Sequence, residues 1–151
     1  MMDDLVRWLG EQLDEDERIA RQATDGPWIA EVSGETGNCV IPADAQSTRE
    51  YVAKTQLYAA VFDAEHIARH NPARALRQVE ATRKLLDTYT TATRLRDEAA
   101  ARIEAANGEP DAKDGDTWLG WQREVAALEL PVRLAASAYT DRHTFREEWA
   151  P

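Results

Sequence analysis

The stretch "NPARALRQVEATRKLL", Asn71 to Leu86, decides the fold because it predicts where a long helix begins. Asparagine is a preferred N-cap residue, and proline suits the first helical position, where no backbone N–H is needed. Apolar residues follow at spacings of three and four, on one helical face, until "NGEP" at 107–110 ends the pattern. The spacing predicts a helix of about 35 residues and roughly 50 Å. The stripe consists of Leu76, Val79, Leu86, Tyr89, Thr93, Ala100 and Ile103.

A helix of that length exceeds the diameter of a domain of this size, so part of it must project from the body or pair with another helix. The segment "TWLGWQREVAALEL" at 117–130 has helical spacing, with a break or kink expected near Pro131. The acidic stretch before it, "DAKDGD" at 111–116, predicts a turn. We therefore expect the C-terminal segment to fold back as an antiparallel helical hairpin and to bury Trp118 and Trp121.

The region before Asn71 predicts three smaller elements. Apolar residues at helical spacing among acids predict an acidic helix over 3–23, which "TDGPW" at 24–28 ends. Two short alternating runs around "GETG" at 34–37 predict a β-hairpin. The stretch "DAEHIARH" predicts a short helix from Ala64 to His70 with Asp63 as its N-cap. The apolar run at 51–62 is too short to classify.

Together these elements predict an α+β fold that is predominantly α. It comprises an acidic N-terminal helix, a small β-hairpin, a short helix, and a long helix that pairs with a kinked C-terminal helix. A chain of 151 residues is close to the common size of one domain and can bury its own core. We expect a single domain over 1–151, in which 1–62 form the helix and β-hairpin part and 63–151 form the helical hairpin part.

The charge of the chain limits its partners. The formal net charge is −10 and the pI is about 4.8, so the field of the molecule repels phosphate backbones and anionic membrane surfaces. Direct electrostatic binding of nucleic acid and membrane binding are therefore not expected. The sequence contains one cysteine, shows no secretion-signal pattern at its start and has no apolar run of about 20 residues. These observations together predict a cytoplasmic protein.

Two of the three histidines lie four residues apart and raise the question of a metal site. His66 and His70 would share one helical face, and Asp63 or His143 could add a further ligand for a zinc-like ion. The residues between the pair lack the glutamate of the "HExxH" motif, and Arg69 opposes a dication. The alternative is that the imidazoles cap or pack at the end of a short helix, where a cation suits the dipole.

Other catalytic signals are weak. Cys39 lies in a predicted strand with no histidine or lysine near it in sequence, so it is expected to behave as a small apolar residue. The sequence contains no nucleophile elbow, phosphate loop or dinucleotide fingerprint. The sequence therefore favours a protein that is not an enzyme and predicts no cofactor.

Basic residues cluster along the predicted long helix although the protein is acidic. Arg69, Arg74 and Arg77 begin this run, and the acidic first helix of the same molecule or of a neighbouring copy is a candidate counterpart. Either these charges form solvent-exposed pairs of little energy, or they mark a partner-binding surface. Likewise, Trp149 near the C-terminus either pins the tail to the body or serves as an aromatic anchor for a partner.

Three blocks of the chain carry a resemblance to a known family: "GPW" at 26–28, "HIARHNPAR" at 66–74 and "REEW" at 146–149. The pattern resembles an uncharacterised family of small acidic proteins from actinobacteria and their phages, and it is more loosely similar to phage Ead-like early-region proteins. The resemblance implies a phage-related context and no activity. We therefore predict a non-enzymatic protein-interaction module that binds a protein partner or self-associates. The alternative is a metal-binding module or metal-dependent hydrolase centred on His66 and His70.

Overall fold

The computed structural model describes residues 2–32, 38–47, 50–56, 59–106 and 112–151. The predicted turn at 34–37 and the predicted helix end at 107–110 lie outside these residues. The chain forms two compact units, which we call the helical unit (Met1–Gln12 and Ala81–Pro151) and the sheet unit (Leu13–Glu80). The elements confirm an α+β fold that is predominantly α. They are α1 (Met2–Gln22), β1 (Trp28–Glu31), β2 (Cys39–Pro42), β3 (Ala53–Lys54), α2 (Ala60–Arg69), α3 (Pro72–Ala105) and α4 (Ala112–Ala136).

The predicted β-hairpin is present in the sheet unit and belongs to a three-stranded antiparallel sheet. Its order is β1-β2-β3, with Trp28 opposite Pro42 and Ala30 opposite Val40. The two-residue strand β3, which was not predicted, pairs with the other side of β2. Alternation places Trp28 and Ala30 on the face that packs against α2, where they surround the fully buried Val40 and Ala64. This contact supplies the apolar support that a small sheet needs in water.

The short helix α2 begins earlier than its sequence predicts. The expected N-cap at Asp63 and start at Ala64 are wrong, because the helix begins at Ala60 and Ala59 occupies the cap position without a side-chain hydrogen bond. Asp63 lies in the first turn, where its backbone N–H donates to the Ala59 carbonyl at 2.9 Å. A carboxylate there still complements the positive end of the helix dipole. The helix ends at Arg69, within one residue of its predicted end.

The start of α3 confirms the interpretation of "NPAR". Asn71 accepts a hydrogen bond on its Oδ1 from the Arg74 backbone N–H at 3.2 Å, which is the bond that an N-cap makes. Pro72 is the first residue of the helix. The Asn71 amide also donates to the Ala68 carbonyl at 3.0 Å, so one side chain joins the end of α2 to the start of α3.

In the helical unit, α4 returns antiparallel to α3, as predicted. Arg102 near the end of α3 lies 3.4 Å from the Asp114 carboxylate near the start of α4. Farther back along α3, Thr88 and Thr91 share an open cavity of about 350 Å³ with Trp121 of α4. The helix continues through Pro131 to Ala136.

The prediction of a turn across "DAKDGD" is wrong for residues 112–116, because α4 begins at Ala112. The turn was predicted because acids and a glycine are typical of turns. Here Asp114 lies in the first turn of α4, where its carboxylate complements the helix dipole. Trp118 and Trp121 are partly buried rather than enclosed. The core of this unit contains Leu5, Trp8, Leu9, Leu86, Tyr89, Ala92, Ala99, Val125, Val132, Ala136 and Trp149.

None of the helices in the described residues combines the length and the apolar composition that a bilayer crossing requires.

Candidate functional site

The two histidines of α2 contact each other. Their ring centroids are 4.2 Å apart with an interplanar angle of 33°. Nδ1 of His70 lies 2.8 Å from the His66 carbonyl oxygen, and because a carbonyl only accepts, this ring nitrogen carries the hydrogen and donates. The backbone N–H of His70 also donates to the His66 and Ile67 carbonyls. His70 therefore satisfies carbonyl groups at the C-terminal end of α2, where helices leave acceptors without partners.

The metal alternative lacks an assembled ligand set in the part of the chain that the structure describes. Asp63 lies on α2 one turn before His66, whereas His143 belongs to the helical unit. Across the described ranges, no group of three or more histidine, cysteine, aspartate and glutamate side chains is placed to hold a metal ion. Structural and catalytic zinc sites use three or four protein ligands.

The three arginines that were predicted to bind a partner all belong to the sheet unit. The Arg69 side chain on α2 is 74% exposed and lies 3.9 Å from Glu65, which is the outer limit of an ion pair. Arg77, in the second turn of α3, is also exposed, while Arg74 is half-buried and its backbone joins the cap of the helix. Arg69 lines a groove together with Glu65, Ala68 and Asn71.

The ion pairs described for α1 and α3 include several that stay within one helix. In α1, Arg18 pairs with Glu15 at 2.7 Å, and in α3, Arg94 pairs with Glu98. All four side chains are largely exposed, so each pair contributes little to stability.

Trp149 is 2% exposed and packs in an aromatic cluster of the helical unit. Its ring centroid is 5.0 Å from that of Trp8 and 6.1 Å from that of Phe145. Arg133 of α4 donates hydrogen bonds to the carbonyls of Glu148 and Ala150, on either side of this residue. The tryptophan ring is therefore buried beside Trp8 of α1, and Arg133 of α4 holds the backbone of the tail next to it.

The strand β1 forms an edge of the sheet, and its backbone alternates between β2 and the open side. The Ala43 N–H donates to the Pro27 carbonyl at 2.9 Å, which marks one bonded pair of the antiparallel ladder. Bonded pairs recur at every second residue, so Ile29 and Glu31 also bond to β2. The N–H and C=O of Ala30, between them, therefore point away from the sheet.

Hydrogen bonds on the other side of β2 support this assignment. The carbonyls of Asn38 and Val40 accept bonds from Thr55 and Val52, so these two residues face β3 rather than β1. Val40 is the residue opposite Ala30. Outside the β1–β2 ladder, no hydrogen bond reaches the Ala30 backbone from any residue that the structure describes.

A groove lies between this open edge and α2, and we call it the β1–α2 groove. Its volume is about 450 Å³. Small side chains shape it, since Ala30 on the strand and Ala68 on the helix leave space that larger residues would fill. Arg69 and Glu65 supply its charges. The lining consists of Trp28, Ile29, Ala30, Glu65, Ala68, Arg69 and Asn71.

Sequence reasoning identified Arg69 but missed the groove. The hairpin was predicted with two strands, so either strand was a candidate edge. The strand that covers the far side of β2 has only two residues, Ala53 and Lys54, which is too short for alternation to reveal. Once β3 is in place, the open edge belongs to β1.

The fold and the groove together define a small α+β protein with an open edge strand beside a helix. The chain belongs to a family of unknown function, DUF6221, whose model matches residues 2–151. No curated protein and no solved structure matches the chain. Membership agrees with the resemblance to an uncharacterised family, and it transfers no activity or partner to this chain.

Proposed function

We propose that this protein is a non-enzymatic interaction module that binds an extended segment of a partner protein along β1. The observation that carries this proposal is the Ala30 backbone, whose N–H and C=O face an open sheet edge beside the β1–α2 groove. A peptide that adds a strand to such an edge gains main-chain hydrogen bonds, and pockets for alternate side chains give specificity.

The helix beside the edge suits this mode of binding. An added strand would lie next to Ala30, and every second side chain would point into the space between β1 and α2. Trp28 and Ala68 offer apolar surface there, and Asn71 also lines the groove. A volume of about 450 Å³ accommodates two or three side chains, which is a recognition site for a short segment.

The charges define the composition of the segment. Arg69 is largely exposed and only loosely held by Glu65, so its guanidinium is free to take a carboxylate in the charge-assisted geometry that arginine favours. The chain as a whole carries a net charge of −10, so a strongly acidic segment would be repelled. The favoured ligand is an apolar, neutral or basic segment with a single acid near Arg69.

A screen of random decapeptides against the full chain tests the proposal. We expect extended peptides with a shared apolar pattern to bind, and Ala30→Pro to weaken them at least about tenfold, because proline removes the N–H that faces the peptide. Proline is tolerated at an edge position whose N–H does not serve the ladder, so the sheet should remain. Circular dichroism checks the fold of the variant.

The charge of the groove is tested with a matched pair of variants. Arg69→Glu should reverse the preference for an acid in the peptide, whereas Arg77→Glu makes the same change of charge on α3 outside the groove and should leave binding unchanged. If Ala30→Pro perturbs the fold, N-methylation of alternate peptide amides tests the same hydrogen bonds on the unaltered protein. Peptides that bind Ala30→Pro as tightly as the parent chain, or a screen that retains none, would contradict the proposal.

Metal analysis separates this function from the metal-dependent alternative. Protein purified without a histidine tag should contain a stoichiometric ion if His66 and His70 are ligands, and the double change to alanine should remove it. A phage-related context and a cytoplasmic location stay predictions from the sequence.

A further inference from the structure

Helix α4 carries an apolar face that the rest of the described chain does not cover. Leu119 is 40% exposed, and Leu130 and Leu134 are each 53% exposed. Ala126 and Ala127 between them are exposed as well. Successive residues of a helix are rotated by 100° around its axis, so these side chains and Arg123 all point within about 60° of the direction of the Leu130 side chain. We call this face the α4 stripe, and it is about 22 Å long. It consists of Leu119, Arg123, Ala126, Ala127, Leu130 and Leu134.

We infer that the α4 stripe is covered by a second copy of this chain, with the two α4 helices antiparallel and their two-fold axis between Ala126 and Ala127. The stripe consists of residues of the helical unit, whereas the β1–α2 groove consists of residues of the sheet unit. Dimerisation through the stripe therefore does not depend on peptide binding in the groove.

The charge on the stripe selects the orientation. Arg123 is exposed near the middle of the stripe, and no ion pair joins it to any residue that the structure describes. A parallel two-fold pair would place each Arg123 against its own copy, and such juxtaposition of like charges is unfavourable. In the antiparallel pair, Arg123 meets Leu130 of the second copy and the two arginines lie apart along the axis.

The apolar residues of the stripe complement themselves in this register. Leu119 of one copy meets Leu134 of the other, and Ala126 meets Ala127 at the centre. Alanines at the crossing point permit close approach of two helix backbones, while the leucines close the contact at both ends. The contact is therefore isologous: the same patch serves on both copies, as closed dimers require.

Two features predict weak association that depends on conditions. A single stripe of about 22 Å provides a contact at the small end of specific interfaces. Each copy also carries a net charge of −10, so the copies repel each other at low salt. Moderate salt should screen that repulsion and strengthen the dimer, because the contact itself is mainly apolar.

Sedimentation across a range of protein concentrations tests the association. We expect a monomer–dimer equilibrium at moderate salt and at least a tenfold weaker association for Leu130→Glu. Thr90→Glu, which adds the same charge at an exposed position of α3, should associate like the parent chain. A monomer at every concentration, or association that Leu130→Glu leaves intact, would overturn the inference.

Spin labels on single introduced cysteines test the orientation. Cys39 is fully buried and should not be labelled in the folded protein. Treatment of the parent chain with the same label is the control. Labels at Ala127→Cys should lie close together, whereas labels at Leu119→Cys should be separated by about 22 Å along the axis, since Leu134 lies 15 positions after Leu119. Close pairs at both positions would indicate parallel helices and overturn the inference, as would the absence of any dipolar coupling.

Discussion

A Cβ atom at residue 26 would lie 3.1 Å from Oδ1 of Asn71. That oxygen is the one that accepts the Arg74 N–H and caps α3. The chain that leads into β1 therefore approaches the joint between α2 and α3 so closely that the absence of a side chain at Gly26 matters. Three parts of the sheet unit meet at this point, namely the chain entering β1 and the two helices that join at Asn71, a residue that also lines the β1–α2 groove.

Substitution of Gly26 by alanine should destabilise the protein by about 1 kcal/mol, because the added methyl displaces the Asn71 side chain from its cap. Chemical denaturation measures the free energy of unfolding. Gly10→Ala is the matched control, since Gly10 lies inside α1 with nothing within 4 Å of an added Cβ. That change should be neutral or stabilising by up to about 1 kcal/mol. Equal effects at the two glycines would contradict the role of the contact.

Asn71→Ala should cost about 0.5–2 kcal/mol through loss of the same cap. In the double variant with Gly26→Ala, the two losses should not add, because both act on one hydrogen bond. The double-mutant cycle measures this coupling by denaturation of all four proteins. Additive losses would show that Gly26 acts through some other contact.

Trp149→Ala should destabilise the helical unit by about 3–5 kcal/mol, because it removes a buried aromatic side chain that packs on Trp8. Trp149→Phe should lower the free energy of unfolding by less. The indole N–H has no acceptor among the described residues, so its removal breaks no described hydrogen bond. Thermal and chemical unfolding compare the two variants. A fully folded Trp149→Ala protein of unchanged stability would show that the tail is not docked.

The stability of the protein should fall at alkaline pH because of Tyr89. Burial raises the pKa of this phenol, and the carboxylates of Glu129 and Asp3 raise it further. The unfolded chain therefore ionises this group near pH 10 while the folded chain still holds the proton, so rising pH above about 10 favours unfolding. Below that range Tyr89 makes no pH-dependent contribution.

Urea unfolding at several alkaline pH values checks this expectation. The stability of the parent chain relative to Tyr89→Phe should be constant below about pH 9 and should decline above about pH 10. An unaltered pH dependence in Tyr89→Phe would contradict the assignment.

The features that sequence predicted well are those set by local chemistry. Asn71 and Pro72 mark a helix start because the cap bond and the fixed proline φ are properties of those residues themselves. The hairpin was visible because Trp28 and Ala30 alternate with outward residues. At Asp63 the same logic failed, since an aspartate suits both the cap and the first turn, and here it lies in the first turn of a helix that begins at Ala60.

The features that sequence could not predict depend on packing between elements. The apolar residues of α4 are distributed over most sides of the helix. The sequence pattern therefore did not show which side would be buried against the rest of the helical unit. The structure buries Val125 and Val132 and leaves Leu130 and Leu134 exposed. Arg69 was chosen for its charge, but its place beside the Ala30 edge follows from the way α2 crosses the sheet. Such contacts join residues distant in sequence, and no local pattern encodes them.

Amide hydrogen exchange of the free protein, resolved residue by residue, tests the open edge most directly. We expect the amides of Ile29 and Glu31, which bond to β2, to exchange at least about a hundredfold more slowly than that of Ala30 between them. Comparable protection of Ala30 would mean that another part of the molecule already occupies this edge, and β1 would then have no backbone to offer a partner.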